Sequence, residues 1–240
     1  MKPEAEKQTM EFGSRRIPYR LYRADRKRLR IVVSPDLMVD IFAPRFATEE
    51  EVQIAIKKKA PWVVRTLDKL EAYQPLPNPK NYLSGETFMY LGRQYRLKVE
   101  YGFRKPAKLL GRFLYVWVKD TPDTQSVKKS VEAWYRKRAH DTMERYMEKC
   151  QAVAAHHGIP EPSWMIRNMR RRWGSCSPSG RITLNTHLVK VPVQCIEYVI
   201  MHELCHLKNH NHSKAFYSLL TCCLHDWRQR KETLNKFRLS

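Results

Sequence analysis

Hydrophobic and polar residues alternate along the segment from Tyr19 to Phe42, most clearly on either side of Ser34-Pro35-Asp36. Ile31 and Val33, for example, are separated by a single residue. A period of two is typical of half-buried strands, because successive side chains of a strand point to opposite faces. Ser, Pro and Asp together favour a turn. We therefore predict a β-hairpin or meander in this segment.

A helix is predicted to follow this β region. Thr48 precedes three glutamates, an order typical of a helix N-terminus, where Thr caps the first turn and acidic side chains interact favourably with the helix dipole. Pro61 is expected to end this helix or to begin a second one that reaches about Tyr73. The proline-rich segment 75–79 is predicted to be a stiff linker. Three large residues are expected to face inward: Trp62, Leu67 and Leu70.

The chain beyond this linker predicts a second, larger part. A helix is expected from about Gln125 to His156, because an apolar stripe runs opposite a row of lysines and arginines. Strands separated by turn glycines are predicted before it, at Thr87–Leu91, Arg93–Tyr101, Lys108–Leu110 and Phe113–Val118. We accordingly divide the chain into residues 1–80, a β-hairpin and helix region with its linker, and residues 81–240.

Residues 160–225 are expected to form the catalytic part of the larger domain. Trp164–Met169 and Arg181–Leu188 are predicted to be paired strands, the second with Asn185 and His187 on the face opposite its leucines. Pro192 suits the first turn of a helix. The following helix is apolar nearly all round and should be buried. Its apolar stripe has helical spacing: Ile196, Ile200, Leu204 and Leu207.

Polar residues within this buried helix carry the candidate chemistry. The segment His202-Glu203-Leu204-Cys205-His206 reads H-E-x-x-H, the pattern of zinc-dependent peptidases. His202 and His206 share one helix face and can bind the same ion, because residues four apart differ by only about 40° around the axis. Glu203 lies beside the metal, where its carboxylate can accept a proton from an activated water. Buried polar groups without partners are costly, and a metal supplies the partner.

A zinc site needs a further ligand, and geometry limits the choice. His210 would share the histidine face only in a longer helix, where three histidines would span about 12 Å, too far for one ion. The helix must therefore break, and Asn209 suits the left-handed conformation that ends helices. His212 then stands at the ligand spacing of metzincins and is the favoured third ligand. Asp226 and Glu232 remain alternatives, and His210 is expected near the site or in solvent.

Several motifs resemble those of a known family. They are R-R-W-G-S-C at 171–176, I-T-L-N at 182–185, the residues 198–207 around H-E-x-x-H, N-H-S at 211–213 and F-Y at 216–217. Together they resemble the YgjP-like metallopeptidases, which are SprT-related zincins described as predicted metal-dependent hydrolases. The resemblance is close over residues 130–225 and less specific over Arg20–Tyr73 and Tyr82–Val118.

This resemblance implies one zinc ion per chain held by His202, His206 and His212, with Glu203 as the catalytic acid and base. It implies no particular substrate. The expected fold is α+β: a zincin-like metallopeptidase domain, in which the active-site helix packs on a small sheet, preceded by a β-rich N-terminal half.

The expected reaction is hydrolysis of a peptide or protein substrate lying as an added strand beside a sheet edge. Trp173-Gly174-Ser175 is expected to shape that groove, although Trp173 could equally be core and Gly174 could merely turn the chain. Tyr217 is a weaker candidate for stabilising an oxyanion than for simple helix packing. Two other functions use the same residues: hydrolysis of a non-peptide amide, and polyanion binding by a protein whose zinc is structural.

Six cysteines bear on the compartment. Most lie in apolar helical stretches and none forms a C-x-x-C pair, which is typical of reduced thiols in a cytoplasmic protein. The N-terminus has no apolar leader, and no stretch is apolar enough for a membrane span. We therefore expect a cytoplasmic protein without a membrane partner.

The net charge of +21 indicates attraction to polyanions. The excess is spread over both halves of the chain in short clusters, such as Arg170-Arg171-Arg172. No zinc-finger spacing, RNP-type aromatic strand or helix-turn-helix accompanies it. Nucleic acid is therefore a possible partner that composition alone cannot assign to a surface.

Overall fold

The computed structural model describes residues 5–34, 36–71, 80–103, 105–119, 123–170 and 172–237. The chain forms two compact units, Met1–Pro79 and Lys80–Ser240. Among these described residues, no helix combines the length and the apolar character needed to cross a bilayer. Three predicted features lie outside the described residues: the linker 75–79, Pro35 of the predicted turn, and Arg171.

A four-stranded sheet and one helix form the N-terminal unit. The strand order is β1-β2-β4-β3, with β2 and β4 parallel and the other pairs antiparallel. The pairing of β3 with β4 confirms the predicted hairpin, whereas β1 was not predicted. The bounds are β1 Glu6–Phe12, β2 Arg15–Ala24, β3 Arg30–Val33, β4 Val39–Pro44 and α1 Glu49–Glu71.

The predicted start of α1 is confirmed, but the predicted break at Pro61 is wrong. The Glu51 N–H donates to Thr48 Oγ1 at 3.2 Å, and the Thr48 N–H donates to the Glu51 carboxylate at 2.9 Å, which is a capping box. Helix α1 continues through Pro61 because its apolar face, which includes Ala60 and Val63, stays fully buried in the core. Burial of that face offsets the cost of a helical proline, about 3 kcal/mol.

The inward face of α1 differs from the predicted one. Trp62 is 44% exposed, so its predicted inward position is wrong, and Leu70 is only half-buried. Leu67 is buried as expected. The residues that pack on the sheet recur at helical spacing: Val52, Ile56, Ala60, Val63 and Leu67.

The larger unit begins with a second four-stranded sheet, of order β5-β6-β8-β7, whose inner face packs against a long helix. The predicted elements are confirmed to within one residue at each end. Gly92, at the turn between the first two strands, has φ +78°, and a Cβ there would lie 2.7 Å from the Pro192 ring. The bounds are β5 Thr87–Tyr90, β6 Arg93–Tyr101, β7 Lys108–Leu110, β8 Phe113–Val118 and α2 Thr124–His156.

A three-stranded sheet of order β10-β11-β9 and three further helices complete this unit. Strand β11 runs parallel to β9 and antiparallel to β10. The mixed α+β architecture with a β-rich N-terminal half agrees with the predicted fold class. The bounds are β9 Trp164–Arg167, β10 Gly174–Cys176, β11 Ile182–Asn185, a 3-10 helix Thr186–Lys190, α3 Val193–His206, α4 Lys214–Cys223 and α5 Trp227–Asn235.

Asn185 ends β11, so the predicted strand through Leu188 is too long. Its side chain is fully buried and accepts from the His187 N–H at 3.0 Å, which starts the 3-10 helix. Its amide nitrogen donates to the carbonyls of Met169 and Arg172, both at 2.7 Å. Because these bonds require a buried amide, Asn185 cannot belong to a polar outer face, and it fixes the segment that enters β10.

Helix α3 is the centre of the core. Ile196, Ile200 and Leu204 are fully buried, as predicted. Ion pairs also hold α3 to its neighbours, because Glu197 contacts both Lys149 of α2 and Arg230 of α5 at 2.6 Å. The side chains of α3 that face the site are thus carried by a helix with little freedom to move.

Candidate metal centre and active site

Three histidines converge at the C-terminal end of α3. His202 and His206 lie one turn apart on that helix, and His212 lies in the loop before α4. One ring nitrogen from each lies within 4.8 Å of the others. The Nε2 atoms of His202 and His212 are 3.0 Å apart, close to the separation of about 3.4 Å expected between two ligands of a tetrahedral zinc ion. The donor set therefore fits a metal ion.

The other predicted ligands are not part of this cluster. His210, Asp226 and Glu232 do not belong to the group of nitrogens that could hold an ion. Asp226 instead accepts from Arg230 Nε at 2.8 Å within α5 and its cap. Of the alternatives left open by the sequence, the geometry favours His212.

The chain reverses immediately after His206, earlier than predicted. The Leu207 N–H bonds to the Leu204 carbonyl at 3.0 Å, and such tight i to i+3 bonds close the last helical turn without a left-handed residue. Asn209 has no positive φ, so its predicted left-handed role is wrong. Ser213 then caps α4 by accepting from the Phe216 N–H at 3.4 Å.

Asn209 instead orients a histidine through its backbone. His206 Nδ1 lies 3.1 Å from the Asn209 carbonyl oxygen. A carbonyl can only accept, so this bond fixes the proton on Nδ1 and leaves Nε2 free to bind a metal. The sequence singled out Asn209 because asparagine tolerates the left-handed conformation. In the structure its backbone carbonyl orients His206 instead.

Burial keeps the histidines in the form that binds metals. It lowers the pKa of His202 to about 3, with a further contribution from the neighbouring His206 and His212. Burial likewise lowers the pKa of His206. Neutral imidazole is the ligand form, so at neutral pH these rings need not lose a proton when an ion binds.

Phe216 forms an apolar floor beneath all three rings. Its side chain is fully buried, and its ring centroid lies 5.0, 4.6 and 4.9 Å from those of His202, His206 and His212. This ring is carried by α4, the helix that follows the metal loop. Because a single aromatic ring packs against every imidazole, this packing helps to hold the three rings together.

Glu203 is a buried carboxylate on the same helix, 6% exposed. Burial raises its pKa to about 7, although Arg172 and a hydrogen bond from the Cys176 N–H act in the opposite direction. A carboxyl group that titrates near neutral pH can both accept and donate a proton during catalysis. The site thus combines three converging ring nitrogens with one proton-exchanging group.

Gly174 makes the position of Glu203 possible. A Cβ at residue 174 would lie 2.8 Å from both Cγ and Oε1 of Glu203 and 3.0 Å from Cγ1 of Val199. Gly174 begins strand β10 and has no positive φ, so the interpretation that it merely turns the chain is wrong. Glycine is required here because a strand backbone lies directly against the carboxylate.

The variant Gly174→Ala is expected to displace the Glu203 carboxylate while leaving the histidines in place. We expect a loss of about 1–3 kcal/mol of unfolding free energy, typical of overpacking, and a fall in peptide hydrolysis of about 10- to 100-fold. Metal content, measured by atomic emission, should stay unchanged. Wild-type activity in Gly174→Ala would contradict the close approach of β10 to Glu203.

The remaining predicted residues lie around this centre. Trp173 is half-buried and packs against the core cluster next to β10. Tyr217 stacks on Trp227, with ring centroids 5.2 Å apart and an interplanar angle of 18°, and its ring lies 6.1 Å from that of His212. Packing therefore accounts for Tyr217 without an oxyanion role.

The cysteines agree with the expectation of free, mostly buried thiols. All six are free, and Cys222 alone among them is exposed. Burial raises the pKa of Cys150 to about 12 and that of Cys195 to about 11. Such thiols are protonated at neutral pH and unreactive.

A protein family and a solved structure are similar to this chain. The family model described as YgjP-like, metallopeptidase domain, matches residues 27–237. The crystal structure of the metallopeptidase zymogen of Pyrococcus abyssi abylysin is similar at 23% sequence identity, over 39% of this chain and 90% of that chain, with a TM-score of 0.34. The curated proteins give no match to the sequence. Because the family match extends over most of both units, this chain belongs to the YgjP-like metallopeptidases, a family of metal-dependent peptidases.

Proposed function

We propose that this protein is a zinc-dependent peptidase in which His202, His206 and His212 hold one zinc ion and Glu203 exchanges the proton. The proposal rests on the convergence of three ring nitrogens within 4.8 Å of one another. Two of them belong to α3, the helix that also carries a buried carboxylate with a pKa of about 7. Imidazole donors favour zinc over the hard cations, which prefer oxygen ligands.

Three protein ligands leave a coordination position for water, as in catalytic zinc sites. When bound, the ion would supply an acidified water and a Lewis acid for the scissile carbonyl. A structural zinc would need a fourth protein ligand, and the cluster in the described part of the chain offers three. This difference favours an enzyme over a protein with a purely structural ion.

Glu203 carries the proton in this scheme. Its carboxylate accepts a proton from the attacking water and then returns it to the leaving amine. Both transfers need a group whose pKa lies near the working pH, which burial provides here. The Cys176 N–H bond and the Gly174 backbone hold the carboxylate in one orientation.

Strand β10 is the expected guide for the substrate. It lies at one end of the order β10-β11-β9, and its residues adjoin Glu203 through Gly174. An extended peptide can add to such an edge by backbone hydrogen bonds. A small non-peptide amide would not use this edge, so the arrangement favours peptides or protein segments. The free cysteines support a cytoplasmic location for the enzyme.

Removal and return of the metal test the proposal directly. Purified protein should contain one zinc per chain and cleave a quenched-fluorescent peptide library. Treatment with 1,10-phenanthroline should abolish cleavage, and one equivalent of Zn²⁺ should restore it. Anomalous scattering at the zinc edge should place the ion among the three histidines. Full activity in metal-free protein, or a fourth protein ligand on the ion, would refute the proposal.

A further inference from the structure

The outward face of the β5–β8 sheet carries a column of three aromatic side chains. Strand β8 alternates Phe113, Tyr115 and Trp117 with three residues that are buried. Phe113 is 39% exposed, and the other two rings are half-exposed. Ring centroids along the column are 6.1 and 5.8 Å apart. We call Phe113, Tyr115 and Trp117 the aromatic column.

The strand register places cations beside two rings of this column and the carboxylate of Glu100 beside the third, Trp117. Arg96 of β6 lies beside Phe113, and Lys98 of β6 lies beside Tyr115. On the other side, Lys108 of β7 is also paired with Tyr115. Lys98 Nζ lies 5.1 Å from the Tyr115 ring centroid, and Lys105 Nζ lies 5.9 Å from that of Trp117. Each ring therefore has a cation next to it or above it.

The end of the column opens into a shallow depression of about 380 Å³. Tyr101, the last residue of β6, and Phe103, just beyond it, line this depression and are 58% and 91% exposed. The acidic residue of this wall, Glu100, is bound to Lys98 at 3.1 Å. Cross-strand aromatic pairs alone can stabilise a sheet, but that role does not require an aromatic ring as exposed as that of Phe103.

We propose that the aromatic column and its flanking cations bind single-stranded nucleic acid. Bases stack on aromatic side chains with little dependence on sequence, while lysines and arginines neutralise the phosphates. The chain's net charge of +21 adds long-range attraction for such a polyanion. This surface is distinct from the metal centre, so its function does not depend on the peptidase assignment.

The geometry favours a single strand over a duplex or an acidic peptide. Stacked bases in one strand of B-DNA rise about 3.4 Å per step, so rings about 6 Å apart meet successive bases only if the strand is unstacked. A duplex keeps its base faces covered and would contact the cations alone. An acidic peptide would likewise leave the rings without a planar partner.

Binding is tested with the full-length, metal-loaded protein and a fluorescein-labelled 12-residue oligo-dT, followed by anisotropy at several salt concentrations. The double variant Tyr115→Ser/Trp117→Ser should weaken binding about 10- to 100-fold, the range expected for loss of stacking. Tyr115→Phe should bind like wild type. Trp62→Ser is the matched control, since it removes another exposed indole and should leave binding unchanged. Far-UV circular dichroism and a thermal melt like those of the wild type show that each variant is folded.

A charge-matched pair separates this surface from general attraction. Lys98→Gln/Lys108→Gln and Lys57→Gln/Lys58→Gln remove the same charge from exposed positions, and the first pair should weaken binding at least five-fold more. Equal loss in the two pairs, equal affinity for a duplex of the same length, or unchanged binding by Tyr115→Ser/Trp117→Ser would overturn the proposal. Displacement of the oligonucleotide by polyglutamate at equal charge would assign the surface to an acidic protein instead.

Discussion

Glu203→Gln is expected to lower peptide hydrolysis by about 10²- to 10⁴-fold, the usual contribution of a positioned acid and base. Glutamine has nearly the same shape but cannot accept the proton of the attacking water. Zinc content should remain at one ion per chain, because Glu203 is not among the three converging donors. Initial rates with a fluorogenic peptide, together with metal analysis of the same sample, measure both effects.

Glu148→Gln is a suitable control, since this glutamate is exposed on α2 and should leave the rate unchanged. Full activity in Glu203→Gln, in a preparation free of other peptidases, would remove Glu203 from the mechanism. Loss of zinc together with activity would instead make the carboxylate a ligand.

The unfolding free energy of metal-free Glu203→Gln is expected to vary with pH differently from that of the metal-free wild type. Burial raises the pKa of Glu203 from its usual 4.5 to about 7, so the wild-type carboxyl group favours folding below about pH 4.5. That contribution is lost as pH rises through about 7. Relative to wild type, Glu203→Gln should therefore gain about 3 kcal/mol of unfolding free energy between pH 4 and pH 8. Urea titrations at the two pH values measure this difference.

His212→Ala is expected to remove the metal and with it at least a thousand-fold of the peptidase activity, whereas His210→Ala should leave both unchanged. The two histidines lie in the same exposed loop, but the ring of His212 reaches the cluster. Two remaining imidazoles bind zinc far more weakly than three with a fixed geometry. Titration with a chromogenic zinc chelator measures the affinity of each variant.

The pair His210→Ala and His212→Ala controls for loop destabilisation, since each removes one exposed imidazole from one segment. Circular dichroism of the metal-free forms should be identical. Retention of zinc by His212→Ala with loss in His210→Ala would exchange the two assignments. If both variants kept their zinc, Asp226 and Glu232 would be the remaining candidates for the third ligand.

The sequence was sufficient for features governed by local periodicity. Helix α3 combined a helical apolar stripe with two histidines one turn apart, so its burial and its shared histidine face were both predictable. The strands of residues 87–118 were delimited by glycines whose conformations other residues rarely adopt, as at Gly111 with φ +56°. In these segments the turn residues and the side-chain periodicity indicate the same strand ends. The predicted bounds of the strands were therefore accurate.

Features that depend on contacts distant in sequence were not predictable. Gly174 and Glu203 are separated by an entire strand, a turn and most of a helix, so nothing local indicates that β10 lies against the carboxylate. Pro61 signals a break by local sterics, and the buried face of α1 outweighs that signal. Asn185 was predicted only to lie opposite the leucines of its strand, because the three partners of its side chain lie outside that strand.

The surroundings of the aromatic column could not be predicted from the residue types of β8 alone. Alternating rings in β8 were visible in the sequence, but their strand neighbours were not, because β6 and β8 pair in parallel across an intervening strand in the sequence. Only that register brings Arg96 and Lys98 beside the rings. A pattern of residue types thus became a candidate surface once the sheet order was known.

The Phe216 ring that packs against the three imidazoles also has a consequence for the binding of the ion. Because the same ring packs against all three imidazoles, we expect it to keep them close together in the metal-free protein as well, so that binding of the ion requires little rearrangement. In a zinc finger, by contrast, folding and loading are one event. We therefore expect this protein to stay folded without its metal and to take the ion up again without refolding.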